Sequence, residues 1–390
     1  MKYDFDTPVN RFNTDSYKWD VKENELPMWV ADMDFKTAPA IIETIKKRAE
    51  HGIFGYSYVP DAWYDAYINW WDRRHSFKMS KNGLIFTNGV IPALSSAVRK
   101  LTTPNENVVI QTPVYNMFFN SVVNNGARIL ENPLIYENGR YSVDWEDLEK
   151  KLKDPQTTLM IVCNPHNPVG KIWDKETLIR IGELCAANDV TVISDEIHCD
   201  VVRPGTGYIP FASASELNAD ISVTLIAPTK CFNLAGINTA AVYASNRRLY
   251  HKMFRALNTD EVAEPNAFAC PVAITAFNEC SDWLDEMNEY VYANRDYAEE
   301  FIKKNIPSLS VVPGDSTYLI WIDISETRSS SDAFANYLRG VTGLFITSGR
   351  HYGACGGSFI RMNLACPRTV LTDGLNRLRE GTESFLNRKL

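Results

Sequence analysis

Two charged residues that could do chemistry stand directly after strongly apolar segments of this 390-residue chain. Lys230 follows the segment 223–227, and Asp195 follows the segment 190–194. A charged side chain at the end of a buried strand is costly unless it is paired or used covalently. Lys230 could therefore form a Schiff base, because a desolvated amine is the nucleophilic form of lysine. A lysine that simply reaches the surface is the alternative.

Asp195 could keep a cationic heterocycle protonated, because ligands of open α/β sheets bind at the carboxyl ends of strands. Opposite charges about 3 Å apart attract by roughly 5 kcal/mol before desolvation, at an effective dielectric of about 20. An aspartate that caps a helix is the alternative. A metal site of Asp195, Glu196, His198 and Asp200 is a further alternative, but neighbours on a strand point to opposite sides.

Two further loops that contain glycine follow apolar segments. The loop 163–171 has two Asn-Pro steps and a glycine, which fix a turn that presents side-chain amides such as that of Asn167; a plain loop is the alternative. At residues 87–94 a strand, a glycine and a helix start follow one another. Free amides at a helix N-terminus bind anions, so a phosphate there would receive N–H donors from Gly89, Val90 and Ile91.

Tyr115 and Arg361 complete the set of candidate residues. Tyr115 follows another strand end, where its ring could stack on a flat ligand; a tyrosine of the core is the alternative. Arg361 lies inside the apolar segment 359–363, and its planar guanidinium suits a carboxylate held by two hydrogen bonds. An internal bridge to an aspartate or glutamate would satisfy Arg361 as well.

The segments around these residues predict an α/β architecture. Short apolar runs without polar alternation indicate a sheet that is buried on both faces, and their alternation with helices indicates parallel crossovers. The predicted strands of this sheet are 84–87, 108–111, 159–163, 190–194, 223–227 and 240–243. The predicted helices are 38–51, 61–75, 91–101, 175–188, 265–281 and 281–304. The C-terminal part, with three short strands and two helices, reads as a smaller α+β domain.

Composition and charge disfavour several classes of function. The formal net charge is −8 and there is no basic run, which argues against nucleic acid and membranes as partners. The eight cysteines are at least ten residues apart, so there is no CxxC motif and no metal is expected. The N-terminal segment has no apolar signal core. The longest uncharged stretch, 107–127, contains a proline and five asparagines, so it is no membrane helix. We therefore expect a cytoplasmic protein.

Taken in order along the chain, these motifs resemble the pyridoxal-phosphate (PLP) enzymes of the class I/II aminotransferase superfamily, fold type I. The order is a glycine before a helix, an aromatic residue, Asn-Pro-x-Asn-Pro-x-Gly, Asp-Glu-Ile-His, a lysine and an arginine. The segments 26–35 (LPMWVADMDF) and 54–57 (FGYS) look like the C–S lyase branch, which contains cystathionine β-lyases and cystalysin-like enzymes.

The resemblance implies a fold and a domain organisation. The large domain would have a mostly parallel seven-stranded sheet sandwiched by helices, and a smaller α+β domain would follow. We place the large PLP-binding domain at residues 46–282 and the small C-terminal domain at 283–390. Residues 1–45 would form an N-terminal arm that joins the small domain. The resemblance also implies a homodimer whose active site is shared across the subunit interface.

The resemblance also assigns roles around the cofactor ring. Lys230 would form the Schiff base with PLP and act as the catalytic base. Asp195 would bind the pyridine nitrogen, and Tyr115 would stack on the ring. Asn167 would contact the ring oxygen. His198 stands near that oxygen, where aminotransferases usually carry a tyrosine.

Other residues are assigned to the cofactor phosphate. Gly89 and Val90, with the neighbouring Ile91, would offer backbone donors, and Thr229 would help to hold the phosphate. Tyr56 would reach it from the neighbouring subunit, which would make the active form a dimer.

The substrate carboxylate would be bound by Arg361 and Asn167, with the backbone around Ala31 nearby. Two positions depart from the superfamily pattern: Ala227 replaces a common serine, and Asn238 replaces a common arginine. Both changes remove a phosphate contact, so another donor must exist. The missing arginine also occurs in the lyase branch.

Three functions remain in view. The primary hypothesis is PLP-dependent β-elimination from cysteine S-conjugates such as cystathionine, which releases a thiol, pyruvate and ammonia. The runner-up is an aminotransferase that acts on an L-amino acid, because both reactions share every step up to the carbanion. A non-catalytic binding scaffold is the third, although a scaffold would be expected to have lost the residues that bind the cofactor. The preferred S-conjugate is not fixed by the sequence.

Overall fold

The structure, a computed structural model, describes residues 2–388. Its strands, in chain order, are β1 (Leu26–Pro27), β2 (Leu84–Thr87), β3 (Asn107–Ile110), β4 (Arg128–Glu131), β5 (Ile135–Glu137), β6 (Arg140–Ser142), β7 (Thr157–Cys163), β8 (Thr191–Asp195), β9 (Ser222–Ile226), β10 (Ala240–Tyr243), β11 (Ser310–Val311), β12 (Leu319–Asp323), β13 (Leu344–Phe345), β14 (Thr347–Ser348) and β15 (Phe359–Asn363).

The helices, also in chain order, are α1 (Pro39–Glu50), α2 (Asp61–His75), α3 (Val90–Leu101), α4 (Met117–Val123), α5 (Trp145–Leu152), α6 (Lys175–Ala186), α7 (Phe211–Ala214), α8 (Glu216–Ile221), α9 (Arg247–Thr259), α10 (Ala269–Glu279), α11 (Ser281–Asn305), α12 (Ser331–Thr342) and α13 (Arg368–Asn387). None of these helices is both long and apolar enough to cross a membrane.

A seven-stranded sheet forms the centre of the larger part of the molecule. Its strand order is β2-β10-β9-β8-β7-β3-β4. Only β10 runs antiparallel to its neighbours, and the remaining strands run parallel to one another. The carboxyl ends of β2, β3, β7, β8 and β9 therefore meet at one edge of the sheet, which is where ligands bind in folds of this type. The predicted fold class is confirmed.

The sheet is buried on both faces, as its apolar runs predict. Along β7, Leu159 and Ile161 pack into one hydrophobic cluster, whereas Met160 and Val162 pack into another on the opposite face. This alternation follows from the period of two residues in a strand. The sequence pattern missed only β4 of this sheet, an edge strand with exposed or half-buried residues.

A second sheet lies in the C-terminal part, with the antiparallel order β11-β12-β15-β14. Strand β1, from the N-terminal arm, pairs in parallel with β13. The arm is therefore hydrogen-bonded to the C-terminal part of the chain. Helix α11 runs without interruption through residue 282, and the domain boundaries near residues 45 and 282 stay predictions.

Candidate active site

A cavity of about 660 Å³ lies at the carboxyl edge of the large sheet. All the predicted site residues except Tyr56 line it: Ala31, Gly89, Val90, Ile91, Tyr115, Asn167, Asp195, His198, Thr229, Lys230 and Arg361. These residues are spread over more than 300 positions of the sequence, and the strand ends and the small sheet bring them together.

Lys230 lies just beyond β9 and reaches across the cavity. Its Nζ donates a hydrogen bond to the backbone oxygen of Ala31 at 2.6 Å. The surrounding protein desolvates the amine and lowers its pKa to about 8. Asp32 and Asp195 oppose this lowering of the pKa, and Arg361 reinforces it. The amine is thus much closer to neutrality at pH 7 than an exposed lysine.

Asp195 is the last residue of β8 and is buried. Its Oδ1 accepts a hydrogen bond from the backbone N–H of Ile197 at 3.1 Å. Burial raises the pKa of this carboxyl to about 7, while the Ile197 bond and the charge of Lys230 lower it. Since desolvation is the dominant cause, a cation placed against Asp195 would stabilise its ionised form.

Arg361 lies on β15 and is only 5% exposed. Its Nη1 donates to Oδ1 of Asn167 at 3.2 Å, and its Nη2 donates to the backbone oxygen of Trp29 at 2.9 Å. The guanidinium carbon lies 4.8 Å from the centroid of the Tyr352 ring. Within residues 2–388 no carboxylate pairs with Arg361, and its Nε has no partner. The charge is therefore available to an anionic ligand in the cavity.

His198 follows β8 by three residues and is buried. Burial lowers its pKa to about 3, and the charges of Lys230 and Arg361 act in the same direction. The imidazole is therefore neutral at pH 7. Its Nδ1 has no hydrogen-bond partner in the described part of the chain, so it can bond to a ligand. Its ring meets that of Tyr318 edge to face, with centroids 6.3 Å apart.

The predicted anion site lies at the start of α3. Gly89 precedes this helix, and Val90 and Ile91 lie in its first turn, where backbone N–H groups have no acceptor within the helix. Thr229 and Asn238 also line the cavity. The side-chain amide of Asn238 is thus a further polar group at the position where the superfamily often has arginine.

Tyr115 is mostly buried in the cavity wall, and burial raises its pKa. Its ring packs edge to face on Phe118, with centroids 6.1 Å apart. This contact fixes the position of one wall, while the tyrosine still lines the cavity.

Tyr56 lies outside this cavity. Its side chain is fully exposed, and its neighbours Ile53, Phe54 and Tyr58 are 67%, 57% and 80% exposed. Tyr56 lines a separate surface depression together with Phe54 and Phe268. Nothing within the single chain brings it to the other predicted residues, so its role in the site stays a prediction.

Several residues of the site were not predicted from the sequence. The Trp29 backbone oxygen binds Arg361, the Tyr318 hydroxyl donates to the Ala31 oxygen at 2.9 Å, and Tyr352 covers Arg361. Trp29 belongs to the segment 26–35, so its motif was a usable signal. Tyr318 and Tyr352 come from the C-terminal part, where no motif marks them.

The alternative metal site after β8 does not form. Asp195 and His198 line the cavity, but Glu196 and Asp200 do not. Donors from other parts of the chain hold these two carboxylates: Trp70, His75, Ser194 and Tyr208. The four predicted side chains therefore do not converge on one point.

The fold and the cavity define a class of protein, namely an α/β protein that holds a desolvated lysine opposite a buried carboxyl at the edge of its sheet. The chain matches the family described as aminotransferase class I and II over residues 24–378. The chain belongs to this family, which confirms the resemblance inferred from its motifs.

The most similar relatives include C–S lyases. Cystathionine beta-lyase PatB of Bacillus subtilis is 41% identical over 382 residues, which cover 96% of this chain and 98% of PatB. The structure of cystalysin from Treponema denticola, which contains pyridoxal 5'-phosphate, is 31% identical with a TM-score of 0.95 and covers 98% of this chain and all of that one.

A third relative bears a different name. A PLP-bound protein of Clostridium difficile 630, provisionally named an aminotransferase, is 38% identical with a TM-score of 0.95. It covers 97% of this chain and all of that chain.

Proposed function

We propose that this protein is a PLP-dependent C–S β-lyase that acts on cysteine S-conjugates of the cystathionine type. The reaction converts the conjugate and water into a thiol, pyruvate and ammonia. The observation that carries the proposal is the desolvated amine of Lys230, which shares one cavity with the buried Asp195 carboxyl and the Arg361 guanidinium. Similarity to PatB over nearly the whole chain supports the same reaction.

The residues of the cavity fit PLP. A protonated pyridine would supply the cation that the buried Asp195 carboxyl lacks, and the partnerless Nδ1 of His198 could bond to the ring oxygen. The first turn of α3 offers amides for the phosphate. PLP, when bound, supplies the electron sink that stabilises negative charge at the substrate Cα.

Lys230 is the residue that moves protons. Because its pKa is lowered to about 8, a substantial fraction of its amine is neutral near pH 7.5 and can accept the proton of the substrate Cα. The ammonium so formed can return the proton to the sulfur that leaves Cβ. One group thus serves as base and then as acid.

Arg361 and Asn167 orient the substrate. The Arg361 guanidinium is already held by Asn167 and by the Trp29 backbone, so it can receive the α-carboxylate without losing its position. Fixing the carboxylate aligns the Cα–H bond with Lys230. Tyr115 would cover one face of the flat cofactor.

The active form is proposed to be a homodimer. The exposed apolar segment around Ile53, Phe54, Tyr56 and Tyr58 supports this, because such patches on soluble proteins mark contacts with other chains. Tyr56 would then approach the phosphate site of the second copy, where Gly89, Val90, Ile91 and Thr229 would hold the phosphate.

A cytoplasmic location is proposed as well. All eight cysteines are in the described residues and none of them forms a disulfide. Free thiols, seven of them buried, suit a reducing compartment.

The deciding experiment supplies the purified protein with an S-conjugate such as cystathionine and with no keto acid. Continuous release of pyruvate and thiol over many turnovers is expected. Activity that stops after one turnover and resumes when a keto acid is added would instead establish an aminotransferase. A protein that binds no PLP would exclude both enzymes.

A further inference from the structure

Residues 29–31 of the N-terminal arm line the cavity, and Asp32 follows them directly. The backbone oxygens of these four residues accept hydrogen bonds from two different sets of side chains. The oxygens of Trp29 and Ala31 accept hydrogen bonds from side chains of the site. The oxygens of Val30 and Asp32 both accept hydrogen bonds from the side chain of Asn363, and the Asp32 oxygen also accepts one from Nζ of Lys18 at 3.3 Å. Residues 30–32 form a bend.

The oxygens on the site side bind reacting groups. Nη2 of Arg361 lies 2.9 Å from the Trp29 oxygen, and Nζ of Lys230 lies 2.6 Å from the Ala31 oxygen. The hydroxyl of Tyr318 also donates to the Ala31 oxygen, at 2.9 Å. The Ala31 oxygen is therefore the contact that positions the Lys230 amine, whereas Arg361 is held by the Trp29 oxygen together with Asn167.

Asn363 holds the opposite side of the segment. Its Nδ2 donates to the Val30 oxygen at 2.6 Å and to the Asp32 oxygen at 2.7 Å. Its Oδ1 accepts from the backbone N–H of Ala365 at 2.7 Å, so the amide cannot rotate freely. The side chain is 2% exposed, which leaves water little access to replace these bonds.

Asn363 also connects the segment to the substrate side of the site. It stands two residues after Arg361 on β15, so the two side chains leave the same face of that strand. Strand β15 therefore carries both Arg361 and Asn363, and the Asn363 amide holds the backbone next to the Trp29 oxygen to which Arg361 donates.

We infer that Asn363 is a positioning residue of this active site: by clamping the backbone of residues 29–32 it keeps the Ala31 oxygen in place as the acceptor for the free Lys230 amine. The inference rests on the proposed function, in which Lys230 is the reacting amine. A free amine on a flexible side chain must be held within reach of Cα, because a misplacement of about 1 Å can cost about 100-fold in rate.

Three variants test the inference. Asn363→Ala removes both donors, and Asn363→Asp keeps the volume and the Ala365 contact but places a carboxylate oxygen against two carbonyl oxygens. Asn294→Ala is the matched control, because Nδ2 of this buried asparagine bridges the oxygens of Leu364 and Cys366 at 3.0 and 2.9 Å in the same way, away from residues 29–32.

The first measurement needs no cofactor. The apoenzyme is labelled with an amine-reactive acylating reagent, and the labelling rate of Lys230 is divided by that of the exposed Lys175 in the same digest. Loss of the clamp should raise this ratio about fivefold in both Asn363 variants, since the amine loses a fixed hydrogen-bond acceptor. Asn294→Ala should leave the ratio unchanged.

The outcomes of the labelling experiment distinguish a positioning role of Asn363 from a role in packing alone. A ratio that is unchanged in Asn363→Asp, or that rises equally in Asn294→Ala, would overturn the inference. Thermal unfolding of each apoenzyme identifies a variant that does not fold. If Asn363→Ala is such a variant, Asn363→Asp decides the question by itself.

The second measurement is steady-state kinetics with the holoenzyme. We expect kcat of the Asn363 variants to fall by about 10- to 100-fold, with KM changed by less than about threefold because Arg361 keeps its bond to Asn167. A wild-type protein that releases no pyruvate would refute the proposed function, yet the labelling result would still report on the clamp. Equal losses of kcat in Asn363→Asp and Asn294→Ala would refute the clamp alone.

Discussion

Two lysines of this protein, the buried Lys18 and the partly buried Lys230, lie in opposite electrostatic surroundings. Nζ of Lys18 is 2.7 Å from Oδ2 of Asp34, and the same carboxylate also pairs with Arg11 at 2.7 Å. Among residues 2–388, the one hydrogen-bond acceptor of Lys230 Nζ is the neutral backbone oxygen of Ala31. The amine of Lys18, which has an ionic partner, contributes to structure. The amine of Lys230, which faces a cavity and has a lowered pKa, can take part in catalysis.

The different roles of Lys18 and Lys230 are tested most directly by removing each amine. Lys230→Ala should lower kcat for β-elimination at least about 1000-fold, because it removes both the covalent anchor and the base. Pyruvate release and the absorbance of the bound cofactor measure the two effects. The melting temperature of the apoenzyme should hardly fall, since no ion pair is lost.

Lys18→Ala serves as the opposite control. It should lower the free energy of unfolding by about 3 kcal/mol, because it leaves the buried Asp34 with one ionic partner fewer. Denaturant unfolding measures this loss. A Lys230→Ala variant that is as unstable as Lys18→Ala, or that keeps its activity, would show that the two environments do not differ in the way proposed.

The buried Asp195 carboxyl should make the stability of the folded chain depend on pH. Its pKa is raised to about 7 in the folded chain and is near 3.9 in the unfolded one. Between these values the folded state binds more protons, so the stability contribution of this group is full below about pH 4 and is lost as the pH rises through about 7.

Asp195→Asn should therefore make the apoenzyme more stable than wild type at pH 8, by up to about 4 kcal/mol, with no difference at pH 4. Its kcat with PLP should fall about 100-fold, because the pyridine loses its anionic partner. Unfolding curves of both apoenzymes across this pH range are the measurement. An advantage that is independent of pH would contradict the raised pKa.

Arg361→Lys should affect binding more than turnover. Lysine keeps the charge but cannot form the paired hydrogen bonds of a guanidinium, so KM should rise about 10- to 50-fold. Steady-state kinetics give the KM, and Arg377→Lys is the control, because Arg377 is outside the cavity lining and is already paired with Asp373. Equal KM changes in the two variants would argue against a carboxylate site at Arg361.

The smallest effect is expected at the surface. In the proposed homodimer Tyr56 approaches the phosphate of the second copy, so Tyr56→Phe should weaken PLP binding about tenfold, which is the value of one hydrogen bond to a charged group. Tyr58→Phe, which removes the same hydroxyl from an exposed neighbour, should leave the dissociation constant of PLP unchanged. A PLP affinity that Tyr56→Phe does not alter would remove this residue from the site.

The apolar runs were strong enough to predict six of the seven strands of the large sheet, because strands covered on both faces consist mainly of apolar residues. They missed β4, whose half-exposed position at the sheet edge imposes no such demand. Lys230, Asp195 and Asn167 could be found because each lies at the carboxyl end of a strand or within four residues after it. Tyr318 and Tyr352 could not be found, since a buried tyrosine that lines a site has the same local sequence as one that fills a core.

The sequence alone determined which strands are buried, which residues stand at their carboxyl ends, and the family to which this order of motifs belongs. Those properties are local, because they depend on the hydrophobicity and the order of residues that are close together in the sequence. Only the tertiary structure decided that Lys230 meets the Ala31 oxygen, that Arg361 has no acidic partner within residues 2–388, and that Asn363 donates to two backbone oxygens of the arm. These contacts join positions separated by some 200 to 330 residues, and nothing in a local pattern specifies which side chains the packing of two sheets and an arm will bring together.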